Sequence, residues 1–210
     1  MPEIPISKTP VMTAASTEII VSSETKNRIR KDGMEYLGDG AGRLVIADPR
    51  RPDKALAFSK SYMPFTSDQA KRVYYFYSIL NTVFPHNFPH VYSATGAESA
   101  ETVPFFRGTV RERIVAKRTY PLLRRFQIRY PFSQVERICK KLDIPLYTDR
   151  HSKNFIVGKD GGEYYVDMTS PPQADRLNAL VAYMGDKFSQ TDVQKVQRQI
   201  NRLRILQNRR

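Results

Sequence analysis

Residues 149–157 are DRHSKNFIV, and residues 163–167 are EYYVD. The first stretch places Asp149 and Asn154 five residues apart in a polar run that leads into a short apolar strand. The intervening KDGG is a favourable hairpin turn, and the return strand ends at Asp167. Because the two arms of a hairpin lie side by side, the pattern predicts that Asp167 lies close to Asn154.

Two carboxylates and an amide side chain that lie close together can bind a cation and orient a hydroxyl group. Hard cations such as Mg²⁺ prefer oxygen ligands and keep part of their coordination shell for phosphate and water. A carboxylate that the metal does not occupy can orient an attacking hydroxyl group. The same loop has a plainer interpretation, in which Asp149 and Asn154 only cap turns.

The loop resembles the catalytic loop of the protein-kinase-like superfamily, in which an Asp and an Asn stand five residues apart. His151 is similar to the variant in aminoglycoside and choline kinases. Asp167 resembles the metal-binding Asp of the Asp-Phe-Gly motif, although Met and Thr follow it here. The resemblance implies ATP and Mg²⁺ as cofactors, with Asp149 as a catalytic residue and Asn154 and Asp167 as metal ligands.

The N-terminal half carries a second resemblance. Gly38, Gly40 and Gly42, followed by Val45, are similar to the family's glycine-rich loop over the ATP phosphates, where backbone N–H groups approach phosphate closely. Lys60 then stands on the third predicted strand, where the family's phosphate-binding and catalytic lysine belongs. The alternative is a glycine-rich hairpin turn followed by an exposed strand lysine.

Two features depart from the family pattern. The helix predicted after Lys60 lacks the Glu that pairs with that lysine, so that Asp68, Glu98 or Glu101 would have to substitute for it. Lys54 is the second candidate for the lysine itself. Few residues follow the metal-binding Asp, so the large lobe is expected to be reduced.

The predicted architecture is α+β, a two-lobed protein-kinase-like fold with a reduced C-terminal lobe. Its predicted parts are a flexible arm at 1–27, a small N-lobe at 28–110 and the reduced C-lobe at 111–210. The predicted strands cover 34–37, 43–47, 54–62, 90–94, 105–116, 155–157 and 163–167. The predicted helices cover 68–81, a segment capped by Ser133, 174–188 and 192–207.

The composition limits the class of binding partner but does not identify a single one. The chain has 210 residues and a formal charge of +13, which attracts polyanions. The last predicted helix is basic but has no interleaved aromatic residues, which disfavours a surface that stacks single-stranded nucleic acid, and nucleic acid is not an expected partner. Its apolar stripe is expected to pack on the large lobe. Cys139 is expected to be a buried small hydrophobe, and His86 and His90 loop and packing residues.

Localisation follows from what the sequence lacks. No run of apolar residues is long enough for a membrane span, and no conventional signal peptide is predicted. The chain is expected to work in the cytoplasm, or to be exported by a needle-type system into a host cytosol as a small bacterial effector kinase.

The expected function is transfer of the ATP γ-phosphoryl group to a hydroxyl, favouring a protein substrate with an acidic surface. Three alternatives stay open at this point. They are a pseudokinase-type binding module, a small-molecule kinase of the aminoglycoside or choline kinase type, and a basic nucleic-acid-binding protein.

Overall fold

The computed structural model describes residues 35–39, 43–48, 51–59, 67–95, 108–112, 128–149, 154–167 and 170–209. Within these ranges the chain forms seven β-strands and four α-helices. The strands make one sheet of five and one of two. The predicted α+β class is therefore confirmed.

The larger sheet is antiparallel throughout, with strand order β1-β2-β3-β5-β4. Its strands are β1 (Tyr36–Asp39), β2 (Arg43–Asp48), β3 (Arg51–Ser59), β4 (Val91–Thr95) and β5 (Gly108–Glu112). β3 has the two-residue period of a strand with one buried face, because Ala55 and Ala57 are buried while Lys54 and Leu56 are partly exposed.

The hairpin between β2 and β3 is tighter than the sequence predicts. A turn was expected over 48–53, but Arg51 already pairs with Asp48 in the ladder. The Arg51 Nε atom lies 2.7 Å from Oδ2 of Asp48, whose side chain is buried. This ion pair compensates the burial of the Asp48 charge and closes the hairpin early.

The helices are α1 (Ser67–Val83), α2 (Phe132–Lys141), α3 (Asn178–Met184) and α4 (Gln190–Asn208). The prediction of one continuous helix over 174–188 is wrong, because 3₁₀ turns flank α3 and Gly185 takes a φ of 37° after its last residue. α4 begins two residues before its predicted start. Ser189 explains this, since its hydroxyl accepts the Asp192 N–H at 3.1 Å.

The start of α2 also differs from the prediction. Ser133 was expected to cap it, but the helix already begins at Phe132. Its N-cap residue makes no side-chain capping hydrogen bond. Glu163, from the small sheet, accepts the Phe132 N–H at 3.0 Å instead. A carboxylate at a helix N-terminus satisfies a free N–H group and interacts favourably with the helix dipole.

A single hydrophobic cluster joins α1, α2, α4 and the small sheet. It includes Phe76 and Leu80 of α1, Val135 of α2, Tyr165 of the small sheet and Ile200 of α4, all nearly or fully buried. The cluster therefore crosses the boundary predicted near residue 110, and the division into two lobes stays a prediction. Cys139 lies within it, as expected.

The last helix packs on residues 172–184 of the predicted large lobe, as expected, and also on α1. Within the described part of the chain, the most extensive helix contact of α4 is with α1, which the predicted domains place in the small lobe. The Arg72 guanidinium of α1 donates to the Leu206 carbonyl near the end of α4. The predicted apolar stripe is confirmed, since Val196, Ile200 and Leu203 are buried. None of the helices that the structure describes is both long and apolar enough to cross a membrane.

Candidate functional site

The small sheet is the hairpin of β6 (Phe155–Val157) and β7 (Glu163–Tyr165), with Phe155 opposite Tyr165. The pairing continues one step beyond the strands, because the Val166 N–H donates to the Asn154 carbonyl at 2.9 Å. Asn154 therefore lies beside Val166, the immediate neighbour of Asp167. The predicted proximity of Asn154 and Asp167 along the backbone is observed.

Asp149 is held at the same end of the hairpin by two contacts. Its N–H donates to the Tyr165 hydroxyl at 3.2 Å, and its carbonyl accepts the Asn154 side-chain amide at 3.2 Å. The second bond closes the loop between the two residues. It uses the nitrogen of the amide, so the amide oxygen keeps its capacity as an acceptor or metal ligand.

The environments of the two carboxylates differ. Asp149 is exposed, whereas Asp167 is partly buried. The Asp167 carbonyl accepts a hydrogen bond from the hydroxyl of Tyr77, a fully buried residue of α1. This difference in exposure is compatible with the two predicted roles, an acceptor-orienting role for Asp149 and a cation-binding role for Asp167.

The donor set places a limit on metal binding. Among the described residues no group of three or more His, Cys, Asp or Glu side chains could hold a metal ion. A cation held by Asn154 and Asp167 alone would take its remaining ligands from phosphate and water. Mg²⁺ commonly binds in this way, through one or two protein oxygens and substrate phosphates.

The predicted phosphate-binding residues are described only in part. Gly38 lies in β1 opposite Val45 of β2, and a Cβ added there would meet no atom of the described residues within 4 Å. Packing against the chain thus does not require glycine at this position. Gly40, Gly42 and Lys60 lie outside the described residues, and so do Glu98 and Glu101.

Sequence reasoning did not find the polar contacts that surround the hairpin. His86 Nδ1 lies 2.6 Å from Asp160 Oδ2 in the hairpin turn, and its ring stacks on Tyr130 at a centroid distance of 4.0 Å. His90 contacts the Asn81 side chain at 3.2 Å. Both histidines thus have the packing roles that were predicted for them. The FPHNFPH segment at 84–90 is the signal that could have pointed to this contact region.

The charge of Asp160 is stabilised in this cluster. Burial alone would raise its pKa, but hydrogen bonds from the Gly162 N–H, His86 and the Tyr164 hydroxyl, together with the charge of His86, outweigh it. The pKa of Asp160 therefore lies below its ordinary value. The turn is thus held in place by an ionised carboxylate rather than by glycine conformation alone.

Asn87 joins the segment after α1 to the hairpin. Its side-chain amide donates to the carbonyls of Tyr130 at 2.9 Å and Glu163 at 3.1 Å. Its own carbonyl accepts the Tyr165 N–H at 2.9 Å. The residue is buried, and its side-chain bond to Glu163 is shielded from competing water, whereas its bond to Tyr130 is only partly buried.

No protein-family model matches the sequence, and the curated proteins include no significant match.

Proposed function

We propose that the chain is an ATP-dependent phosphotransferase with a two-lobed, protein-kinase-like fold whose C-terminal lobe is reduced. The observation that carries the proposal is a set of hydrogen bonds at one end of the β6–β7 hairpin, where Asn154 bonds to Asp149 and to Val166, the neighbour of Asp167. The order of elements supports it, because a glycine-containing β-meander, a helix and two further strands precede the site, as the resemblance implies.

In this proposal each residue has one task. Asn154 and Asp167 would hold Mg²⁺, which would neutralise the charge that develops on the phosphates during transfer. Asp149 accepts or orients the proton of the acceptor hydroxyl. The acceptor oxygen bonds to the γ-phosphorus, the bond from that phosphorus to the bridging oxygen breaks, and ADP leaves. Lys60 and the loop of Gly38, Gly40, Gly42 and Val45 position the phosphates.

A protein hydroxyl is the favoured acceptor. The outer face of α4 exposes Arg198 and Arg202, and within the described part of the chain neither is paired with a carboxylate. The net charge of +13 adds to this field. Positive potential of this kind attracts acidic protein surfaces and accelerates their encounter with the site.

Nucleotide binding is the first test. A ligand that binds only the folded state stabilises it, by about 2.7 kcal/mol when its concentration is about 100 times Kd. Millimolar Mg-ATP should therefore raise the melting temperature of the unmodified chain, and Asp167→Ala should abolish the rise. Asp186→Ala, which removes an exposed carboxylate in the turn after α3, is the matched control and should keep it. An equal rise in Asp167→Ala would remove that residue from the metal site.

Transfer is the second test. Incubation with ATP labelled on its γ-phosphate should transfer label to peptides rich in Asp and Glu around a Ser, Thr or Tyr more rapidly than to neutral peptides. Label that appears only on small-molecule acceptors would favour the aminoglycoside or choline kinase type instead.

A pseudokinase-type binding module is the second candidate, and one observation favours it. Asp68 is the only acidic residue of α1, and its Oδ1 lies 4.0 Å from Arg209 Nη1 at the end of α4. The acid on this helix that was proposed to pair with Lys60 is thus beside another cation. Binding of Mg-ATP without transfer to any protein or small molecule would establish this candidate.

A further inference from the structure

Tyr77 connects the interior of the protein to the candidate metal site. Its side chain is fully buried in the middle of α1, and its ring packs edge-on against Phe88 at 5.7 Å between centroids. Its hydroxyl donates to the main-chain carbonyl of Asp167. The partners are 90 residues apart in the sequence, so this contact exists only because α1 lies behind the hairpin.

Further hydrogen bonds fix the position of the hairpin relative to α1. The segment after α1 is bonded to β7 through Asn87, which accepts from the Tyr165 N–H and donates to the Glu163 carbonyl. The site end of the hairpin is bonded to α1 through Tyr77. The Tyr77 hydroxyl is thus positioned by a rigid helix rather than by a loop, which is the arrangement that holds a functional group accurately.

We propose that Tyr77 is a positioning residue for Asp167, and that it links α1 to the metal site by a hydroxyl-to-carbonyl hydrogen bond. The inference rests on the proposed function. A bond to the Asp167 carbonyl opposes rotation of the peptide that follows this residue, and so restricts the direction in which its carboxylate is presented. The helix that carries Tyr77 has no Glu, although the resemblance predicts a Glu on this helix that pairs with the lysine.

A purely structural hydroxyl predicts a different result from a positioning one. Loss of a buried hydrogen bond lowers the stability of the fold wherever the bond lies. Loss of a group that orients a metal ligand also lowers the affinity for the metal, typically by about 10- to 100-fold. The effect on metal-dependent nucleotide binding therefore separates the two roles.

Tyr164→Phe is the matched control for Tyr77→Phe. Tyr164 is also buried, and its hydroxyl donates to Asp160 Oδ2 at 2.9 Å at the turn end of the same hairpin. Both substitutions remove one hydroxyl and keep the ring. The Tyr77 hydroxyl contacts Asp167 at the site end of the hairpin, whereas the Tyr164 hydroxyl contacts Asp160 at its turn end.

The experiment compares the affinity of a non-hydrolysable ATP analogue at saturating Mg²⁺ with its affinity in EDTA, by calorimetry on the full chain. The ratio of the two affinities measures the contribution of the metal. We expect Tyr77→Phe to lower this ratio by about 10-fold or more and Tyr164→Phe to leave it unchanged. An unchanged ratio in Tyr77→Phe, or an equal fall in Tyr164→Phe, overturns the inference while the proposed function stands. Absence of binding by the unmodified chain overturns both.

Should Tyr77→Phe fail to fold, 3-fluorotyrosine placed at position 77 provides a second measurement, because it keeps the hydroxyl. Its ¹⁹F resonance should shift when Mg²⁺ is added to the nucleotide-bound protein, whereas the same label at position 164 should not. No shift at position 77 overturns the inference.

Discussion

Asn87 offers a direct test of how the fold supports the candidate site. The substitution Asn87→Ala removes both side-chain donors, to the carbonyls of Tyr130 and Glu163, and leaves the two acceptors facing the space that the amide occupied. The main-chain bond from Tyr165 to residue 87 is unaffected by the change of side chain. The perturbation is therefore limited to two hydrogen bonds.

The magnitude follows from the burial of these bonds. Each intramolecular hydrogen bond contributes about 1 kcal/mol net, and a buried acceptor left without a partner costs roughly 1–3 kcal/mol. The bond to Glu163 is buried, whereas the bond to Tyr130 is only partly buried, and the Tyr130 carbonyl keeps a partner because it also accepts the Glu163 N–H at 3.0 Å. We expect the free energy of unfolding to fall by about 2–4 kcal/mol. This is a large part of the roughly 5–15 kcal/mol of a typical domain.

Urea unfolding followed by far-UV circular dichroism measures this quantity. Asn208→Ala is the matched control, since Asn208 is exposed at the end of α4 and its loss should change the free energy of unfolding by no more than about 0.5 kcal/mol. If Asn87→Ala is as stable as this control, the hydrogen bonds from Asn87 do not hold the segment after α1 to the hairpin, and the reasoning is wrong.

Three further predictions concern single side chains. Asp149→Ala should keep Mg-ATP binding in calorimetry but lower phosphoryl transfer by roughly 10²- to 10⁴-fold, and unchanged transfer would exclude Asp149 as the acid–base group. Burial raises the pKa of the Cys139 thiol to about 11, so it should not react with a thiol reagent at about pH 8 until the chain is unfolded; rapid reaction of the native protein would contradict this. The pKa of folded Asp160 is depressed below its ordinary 3.8, so its contribution to stability is present above that value and is lost as the pH falls through the lower folded value. Urea unfolding at about pH 5 and about pH 3 should therefore show a larger loss for the unmodified chain than for Asp160→Asn, and equal losses would contradict the depressed pKa.

Local patterns were enough to predict the elements that carry the candidate site. The hairpin of β6 and β7 follows from two short apolar strands on either side of a glycine turn, and the backbone proximity of Asn154 and Asp167 follows from the hairpin. The apolar stripe of α4 and the burial of Cys139 follow from helical periodicity. All of these depend on residues that are near one another in the chain.

The errors in the sequence reasoning have a common cause. The start of α2 depends on a carboxylate 31 residues away, and the early start of β3 is accompanied by an ion pair between Arg51 and the buried Asp48. The helix over 174–188 divides at Gly185, although its apolar pattern continues. In each case the local preference was outweighed by a contact or a backbone conformation that periodicity does not encode.

The sequence by itself determined which residue types could form a phosphotransferase site and the order in which they occur, because loop spacing and hairpin pairing are local properties. Only the tertiary structure decided which other residues support that site by contact. The hydroxyl of Tyr77, the amide of Asn87 and the packing of α4 on α1 join residues separated by 43 to 134 positions. A periodic pattern shows which face of a helix is apolar, but it does not show which other helix or strand packs against that face. That choice depends on the complementary shapes of the whole core and on the need to give every buried donor and acceptor a partner.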